Sequence, residues 1–438
     1  MFGKTYQKYQ KNIKKTTKYV INLIFSCDTL ELGVNMEKTY YNKIIYKKNA
    51  FEDLKTYIKL NYGNKNILLI STKSVLAEDV TSVLNALFAG TEAVSHFASK
   101  NNFDNNELCG LAGRMAKTKP DLIVSLGGGK CCDVAKYFSY FYNVNYIVCP
   151  TVATSLSFFS SYCVNPFTSI DSFYAKMPEK IFIQESIIKN ATCLSNISGL
   201  CFLHSLRAIF IDALLYNNED NVDIMLGLEK LFKKLDDEQT NILLCGEDAN
   251  LVLMDLLIDF GFLMGQLNLD DYYLINMYKI FNGANENKNG MVGKKMLLCA
   301  RAVLALFFNY LCINTFKVVE KNNYEAIGKL SKKYKIYDKI VKNNIFFNNF
   351  EQKTHIKRQF LVNRAKMLDD LSIQIKSINN FSKCVKSVYK YGIEIENDLS
   401  VVFDSLILSP YIFRGNDLVN LIAGSGILNS LMIDNVIL

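Results

Sequence analysis

The stretch Asp121-Leu-Ile-Val-Ser-Leu-Gly-Gly-Gly-Lys-Cys-Cys-Asp-Val-Ala-Lys136 decides the fold. An apolar run over 121–126, entered through Pro120, reads as a buried strand. It ends in three glycines, and the residues from Cys132 to about Phe141 read as a helix. Glycines let a backbone approach a phosphate with no Cβ in the way. A helix behind them offers unpaired N–H groups and the positive end of its dipole. Gly127, Gly128, Gly129 and Lys130 are therefore the candidate phosphate-binding residues. A plain glycine-rich turn is the competing reading, and the strand before and helix after weigh against it. The stretch is neither a Gly-x-Gly-x-x-Gly fingerprint nor a Gly-Lys-Ser/Thr P-loop.

On either side of this loop the pattern alternates. Residues 66–70 and 145–149 are short apolar runs, the first ending at Ser71-Thr72 and the second at Pro150-Thr151. A helical pattern covers 75–87. Strands separated by helix-length segments predict a parallel, Rossmann-like sheet covered on both faces. Beyond about residue 185 long helix-periodic segments dominate: 197–215, 222–235, 250–267, 294–311, 322–334 and 399–408. The Lys- and Asn-rich stretch 336–390 also reads as helical, with weaker periodicity. Pro410 is the only proline after Pro178. The expected organisation is a basic arm over 1–35, an α/β nucleotide-binding domain over 36–170 and an all-α domain over 171–438.

Composition narrows the class. The chain has 438 residues, half of them hydrophobic, which is enough for two cores. No uninterrupted apolar run approaches the ~18 residues of a membrane span. The segments 251–263 and 299–311 are broken by Asp255, Asp259 and Arg301. Residues 1–50 hold ten lysines against three acids, yet the arm carries no arginine, and no nucleic-acid partner is expected. Tyr19 to Phe25 is too short and interrupted for a secretory leader. Twelve cysteines lack metal spacing, so reduced thiols in a cytoplasmic protein are expected. Three histidines, His96, His204 and His355, stand too far apart for a metal site within one segment.

The Gly-Gly-Gly-Lys loop, Asp133-Val-Ala-Lys136 and Pro150-Thr151 together resemble the superfamily of glycerol dehydrogenases, iron-containing alcohol dehydrogenases and dehydroquinate synthases. Ala175-Lys-Met-Pro178, Ile187-Ile-Lys-Asn-Ala191 and Ser198-Gly199 resemble its next strand and helix. Leu408-Ser-Pro-Tyr-Ile412, Asp417-Leu and Ile427-Leu428 resemble the tail of bacterial glycerol-1-phosphate dehydrogenases. The resemblance implies a dehydroquinate synthase-like fold, and it adds Asp133, Thr151, Thr154 and Ser160 to the cofactor-binding set. It also implies NADH- or NADPH-dependent reduction of dihydroxyacetone phosphate, a small phosphorylated ketone, assisted by zinc or nickel, in a protein that can form homo-oligomers.

The family metal ligands are one Asp and two His. Carried over by position, they fall here at Phe202, Tyr278, and Asn287 or Lys288. Leu156 stands where the family has a substrate-side Asp. His204 with Asp212 and Asp270 or Asp271 is an alternative ligand set, and a core histidine is the favoured reading of His204. A carboxylate that would accept ribose hydroxyls is replaced by Ser71-Thr72-Lys73, which points to NADP over NAD. Two readings stay open: an NAD(P)-dependent oxidoreductase that has lost the family metal site, or a catalytically degenerate nucleotide-binding homologue with a scaffold or regulatory role.

Overall fold

The computed structural model describes residues 39–91, 93–169, 171–215, 222–267, 272–284, 291–312, 329, 331–333, 350–388 and 399–412. The basic arm, most of the helix expected over 322–334, and the tail motifs at Asp417 and Ile427 lie outside them. The chain divides into two units, Met1–Ile45 and Tyr46–Leu438. In the first, a short helical turn carries Tyr40 and Tyr41 with their rings edge to face. Strand β1, Ile44–Lys47, crosses the boundary.

The second unit opens with an α/β layer. Helix α1 (Ala50–Tyr62) buries Ala50, Leu54, Ile58 and Tyr62, a four-residue spacing that puts one stripe on the sheet side. Strand β2 (Ile67–Thr72), helix α2 (Ala77–Phe88), strand β3 (Val94–Ser99) and helix α3 (Asn105–Thr118) follow. At the start of α3 the Asp104 side chain accepts from the Glu107 N–H at 2.8 Å, while Glu107 accepts from Phe103 N–H at 3.0 Å. This reciprocal cap fixes where the helix begins. Strand β4 (Leu122–Gly127), helix α4 (Gly129–Tyr142) and strand β5 (Asn145–Pro150) come next. A 3-10 turn (Leu156–Phe159) leads to a small antiparallel pair, β6 (Tyr162–Val164) and β7 (Ser172–Tyr174). Strand β8 (Lys180–Gln184) then enters the main sheet beside β5.

The sheet order is β1-β8-β5-β4-β2-β3, and the pairs β2–β3, β2–β4, β4–β5 and β5–β8 are parallel. The central strands β2 and β4 are buried along almost their whole length, as a sheet covered on both faces requires. The α/β layer thus includes β8, on the far side of residue 170. Strand β3 has no legible signal because its half-buried edge position mixes Ser95 and His96 with apolar residues.

The rest is helical: α5 (Glu185–Lys189), α6 (Cys193–Leu215), α7 (Val222–Leu243), α8 (Ala249–Met264), α9 (Tyr273–Ala284), α10 (Val292–Cys312), α11 (Phe350–Val388) and α12 (Leu399–Ile412). The weakly periodic stretch expected over 336–390 contains the 39-residue α11. Helices α6 and α10 form the most extensive helix pair. Both are long and apolar enough to cross a membrane, which the sequence patterning missed. Their apolar windows are 94% and 61% buried inside the fold, so they are core helices. Cys193 and Cys245 are brought side by side, 6.3 Å apart at Cα. The two lie 52 residues apart with no motif between them, so only the fold reveals the pair.

Arg207 on α6 is 1% exposed and is held by Asp236 Oδ1 at 2.7 Å, Gln374 Oε1 at 2.5 Å and the Phe232 carbonyl at 3.3 Å. Its Nε donates to His204 Nδ1 at 3.3 Å, and the His204 ring stacks on Phe381. His204 is therefore a neutral core histidine, its pKa driven well down by burial and by Arg207. Removing Asp236 would leave a buried guanidinium short of its counter-charge. Asp236→Ala is expected to cost about 3 kcal/mol in urea unfolding, the low end for a broken buried pair because Asp236 is one-third exposed.

Candidate functional site

The loop after β4 is built by the absence of side chains. Gly127 has φ +156°, and a Cβ there would stand 3.0 Å from Cys131 Cβ. Gly128 is the extended N-cap of α4. A Cβ on Gly129 would lie 2.7 Å from both Cβ and Oγ of Ser155. The backbone is tied to the next strand where Thr151 N–H donates to Gly127 O at 3.2 Å. Helices α1, α2 and α3 each carry an acid in the first turn, whereas α4 has none. Its N-terminal N–H groups thus face no carboxylate of their own turn, and the exposed Lys130 sits among them.

Behind the loop lies a polar knot. Asp133 accepts from the Ser157 hydroxyl and stands 4.0 Å from Lys136 Nζ. Lys136 is fully buried and donates to Ser157 O at 2.9 Å and Tyr162 O at 2.7 Å. Fully buried Lys279 on α9 reaches the same hairpin, with its ammonium on the Ser172 hydroxyl and 5.2 Å from the Tyr162 ring centre. Two buried lysines from different layers thus converge on β6 and β7. Asp133 is tied into this knot through Ser157 and Lys136. Thr151 and Thr154 are half-buried along the connection that follows β5, and Ser160 is buried at the end of the 3-10 turn. Cys131, Cys132, Cys149 and Cys163 are buried around the loop, and burial pushes their thiols up, Cys132 to about 12. They are packing residues, not nucleophiles.

The helical layer meets the loop through two more glycines. A Cβ on Gly199 of α6 would fall 2.2 Å from Ala153 O. A Cβ on Gly293 of α10 would fall 1.7 Å from Ser198 O and 3.0 Å from Phe202 N. Gly293 N–H donates to Ser198 Oγ at 3.3 Å. Phe202, the first expected ligand position, is therefore at this junction and half-buried. Tyr278 on α9 is half-buried too, its hydroxyl pKa pushed up by burial and by Cys299 and Asp133. Leu156 is buried where a carboxylate was expected. Asn287, Lys288, Asp270 and Asp271 lie outside the described residues. Among the described residues no three His, Cys, Asp or Glu side chains converge to hold a metal ion. Phenyl and phenol groups at two of the three positions do not fit zinc or nickel, whose sites take nitrogen, sulfur or carboxylate donors. The glycine cradle does fit a dinucleotide's pyrophosphate.

Sequence reasoning missed Ser157, Tyr162 and Lys279. Lys136 was legible as the partner of Asp133 three residues earlier; the others carry no local signal. Residues 42–170 match the family model described as iron-containing alcohol dehydrogenase. Glycerol dehydrogenase 1 of Schizosaccharomyces pombe is 27% identical over 183 residues, 39% of this chain and 40% of that protein. The match thus spans about two-fifths of this curated relative, which is a glycerol dehydrogenase rather than a glycerol-1-phosphate dehydrogenase. The fold is that of the iron-containing alcohol dehydrogenase from Thermotoga maritima, at TM-score 0.57 and 10% identity over 87% of this chain and 97% of that one. The alcohol dehydrogenase from Oenococcus oeni gives TM-score 0.57 at 12% identity, covering 90% and 97%.

Burial raises the Asp133 pKa from 3.8 to about 6, against the opposing pull of Lys136 and the Ser157 hydrogen bond. Between those values the folded chain binds more protons than the unfolded one, so this group's contribution falls as pH rises through the window. Asp133→Asn keeps an acceptor for Ser157 and has no charge to bury. Urea unfolding should show the variant level with wild type near pH 4 and gaining on it up to pH 6. A gap that shrinks over that range would contradict the assignment.

Proposed function

We propose that this chain is an NAD(P)-dependent oxidoreductase that acts on a small ketone or polyol of the kind glycerol-1-phosphate dehydrogenases use. The observation that carries this reading is the cradle at Gly127, Gly128 and Gly129, which opens onto the carboxyl end of β4 and the N-terminus of α4. Gly127 and Gly128 leave room for a pyrophosphate, N–H groups of the first turn of α4 donate to it, and Lys130 supplies counter-charge. A bound nicotinamide would supply or accept the hydride. The chain's own part is to hold the dinucleotide across the glycine loop and to bring helices α6, α9 and α10 against its reactive end. No step is assigned to a metal, because Phe202 and Tyr278 do not fit one.

A second reading has its own support. With Phe202, Tyr278 and Leu156 at the expected chemical positions, the fold also suits a nucleotide-binding protein with a scaffold or regulatory role. Turnover separates the two: oxidation of NADPH in the presence of dihydroxyacetone phosphate or dihydroxyacetone supports the enzyme, and stoichiometric binding without turnover supports the alternative.

Cofactor choice follows from Lys73. Its backbone N–H donates to Ser99 O at 2.9 Å, which anchors the exposed residue just past the carboxyl end of β2. A lysine there favours a 2′-phosphate over bare ribose hydroxyls. Fluorescence titration at fixed salt should give tighter NADPH than NADH. Lys73→Glu should reverse the order by about tenfold, equivalent to about 1.4 kcal/mol. Gly129→Val, which has no space beside Ser155, should abolish binding of both; undiminished binding would remove the loop from the site.

A further inference from the structure

Cys193 opens α6, and Cys245 lies in the turn between α7 and α8. Both are exposed, their Cα atoms stand 6.3 Å apart, and their sulfur atoms are in contact. That Cα separation is within the span a disulfide bridges without backbone movement. Groups other than sulfur set it. Asn196 of α6 donates to Asn250 Oδ1 of α8 at 2.5 Å. Asn250 donates in turn to the carbonyls of Ile188, Lys189 and Ala191 at 2.9, 2.8 and 3.0 Å. Lys189 pairs with Asp248 at 2.5 Å across the same turn. These bonds are made by amides and charges, so they hold the two helix starts together whether or not the sulfurs are joined. Cys245 has φ +51°, in the left-handed region. Glycine and asparagine are favoured in that conformation at the end of a helix, and cysteine is not. The position is thus held for a thiol at a cost to the backbone. The cysteines further along α6 and α10, Cys201 and Cys299, are buried and differ from this exposed pair.

We propose that Cys193 and Cys245 are a redox-sensitive pair, thiols in reducing surroundings and cross-linked by exchange with a small disulfide such as oxidised glutathione, and that the cross-link clamps α6 onto α8. In the exchange one thiolate attacks the small disulfide, forms a mixed disulfide and releases a glutathione thiolate. The second thiolate then attacks its neighbour's sulfur and releases the other glutathione. The two protons of the pair end on the two glutathione thiols. The pair loses two electrons, and the small disulfide gains them. The clamp lies on the helix contact that closes over the 151–155 connection. Further along α6, a Cβ on Gly199 would fall 2.2 Å from Ala153 O and 2.8 Å from Leu253 Cδ2 of α8. Helix α8 packs on the 3-10 turn as well. The α6–α8 contact therefore has the exposed cysteines at its outer end and the connection after β5 at its inner end. A bond across the outer end opposes separation of the two helices at the inner one. This inference is independent of what binds at the glycine loop.

The test uses the full chain, reduced with dithiothreitol, desalted and equilibrated in glutathione buffers of rising oxidised fraction. Non-reducing peptide mapping by mass spectrometry reads the bonds, and amide hydrogen exchange reads the helices. Expected is a Cys193–Cys245 cross-linked peptide that grows in with the oxidised fraction and disappears when dithiothreitol is added to the folded chain. Exchange over the first turns of α6 and α8 should slow at least about tenfold in the oxidised form. Cys193→Ser and Cys245→Gly should each leave the remaining cysteine carrying one glutathione, because no neighbour displaces it, and should lose the slowing. Cys245→Gly suits the left-handed backbone, so the inference stays testable should Cys193→Ser not fold. No cross-link at any oxidised fraction overturns it. So does a wild-type chain whose end product is glutathione on Cys193 or Cys245. A bond that dithiothreitol fails to open in the folded chain makes the pair structural and overturns the redox role. Exchange unchanged by oxidation overturns the clamp.

Discussion

The contact on which the site depends is one that no side chain makes. At Gly293 the backbone of α10 lies so close to Ser198 O of α6 that a single methyl group would fall 1.7 Å from it. Gly199 repeats the arrangement one residue on, against Ala153 O of the connection that follows β5. Carbonyl oxygens cannot yield as the end of a flexible side chain can, so both helices would have to shift to admit a Cβ. The helical layer is thus set against the strand ends at backbone distance. That closeness places Phe202, the 151–155 connection and the glycine loop within one junction.

On this frame polar groups are used in two ways. Deep in the fold they are spent on holding layers together. Arg207 gathers α6, α7 and α11, and Lys136 and Lys279 meet at the β6–β7 hairpin. Burying a charge is unfavourable unless its hydrogen bonds are met, and each of these groups has at least two partners. At the junction the balance differs. The α4 N-terminus has no acid in its first turn, and the exposed Lys130 adds positive charge. A helix N-terminus of that sign suits a dinucleotide's phosphates whatever chemistry follows.

Much of the α/β layer was legible from local pattern. Residues 121–136 announce strand, glycine turn and helix because each part obeys its own rule over a few residues. The runs at 66–70 and 145–149 are apolar throughout, as central parallel strands must be. Strand β3 was not legible, since an edge strand needs no continuous apolar face. The long helices of the second half were readable from their period, but the Cys193–Cys245 pair was not, because nothing local joins residues 52 positions apart. The site divides in the same way. Its glycine loop is contiguous and readable. Lys279 acquires meaning only when α9 is folded against the β6–β7 hairpin. The resemblance to a dehydrogenase family told where metal ligands belong, and at two of those positions this chain has Phe202 and Tyr278.

The central claim is that the glycine cradle holds a dinucleotide's pyrophosphate. A crystal structure of the full chain grown with NADP and excess zinc tests it most directly. The account predicts the pyrophosphate over residues 127–130 and no zinc at Phe202 and Tyr278. A zinc ion coordinated there by protein side chains, or a dinucleotide bound away from the glycine loop, would contradict it.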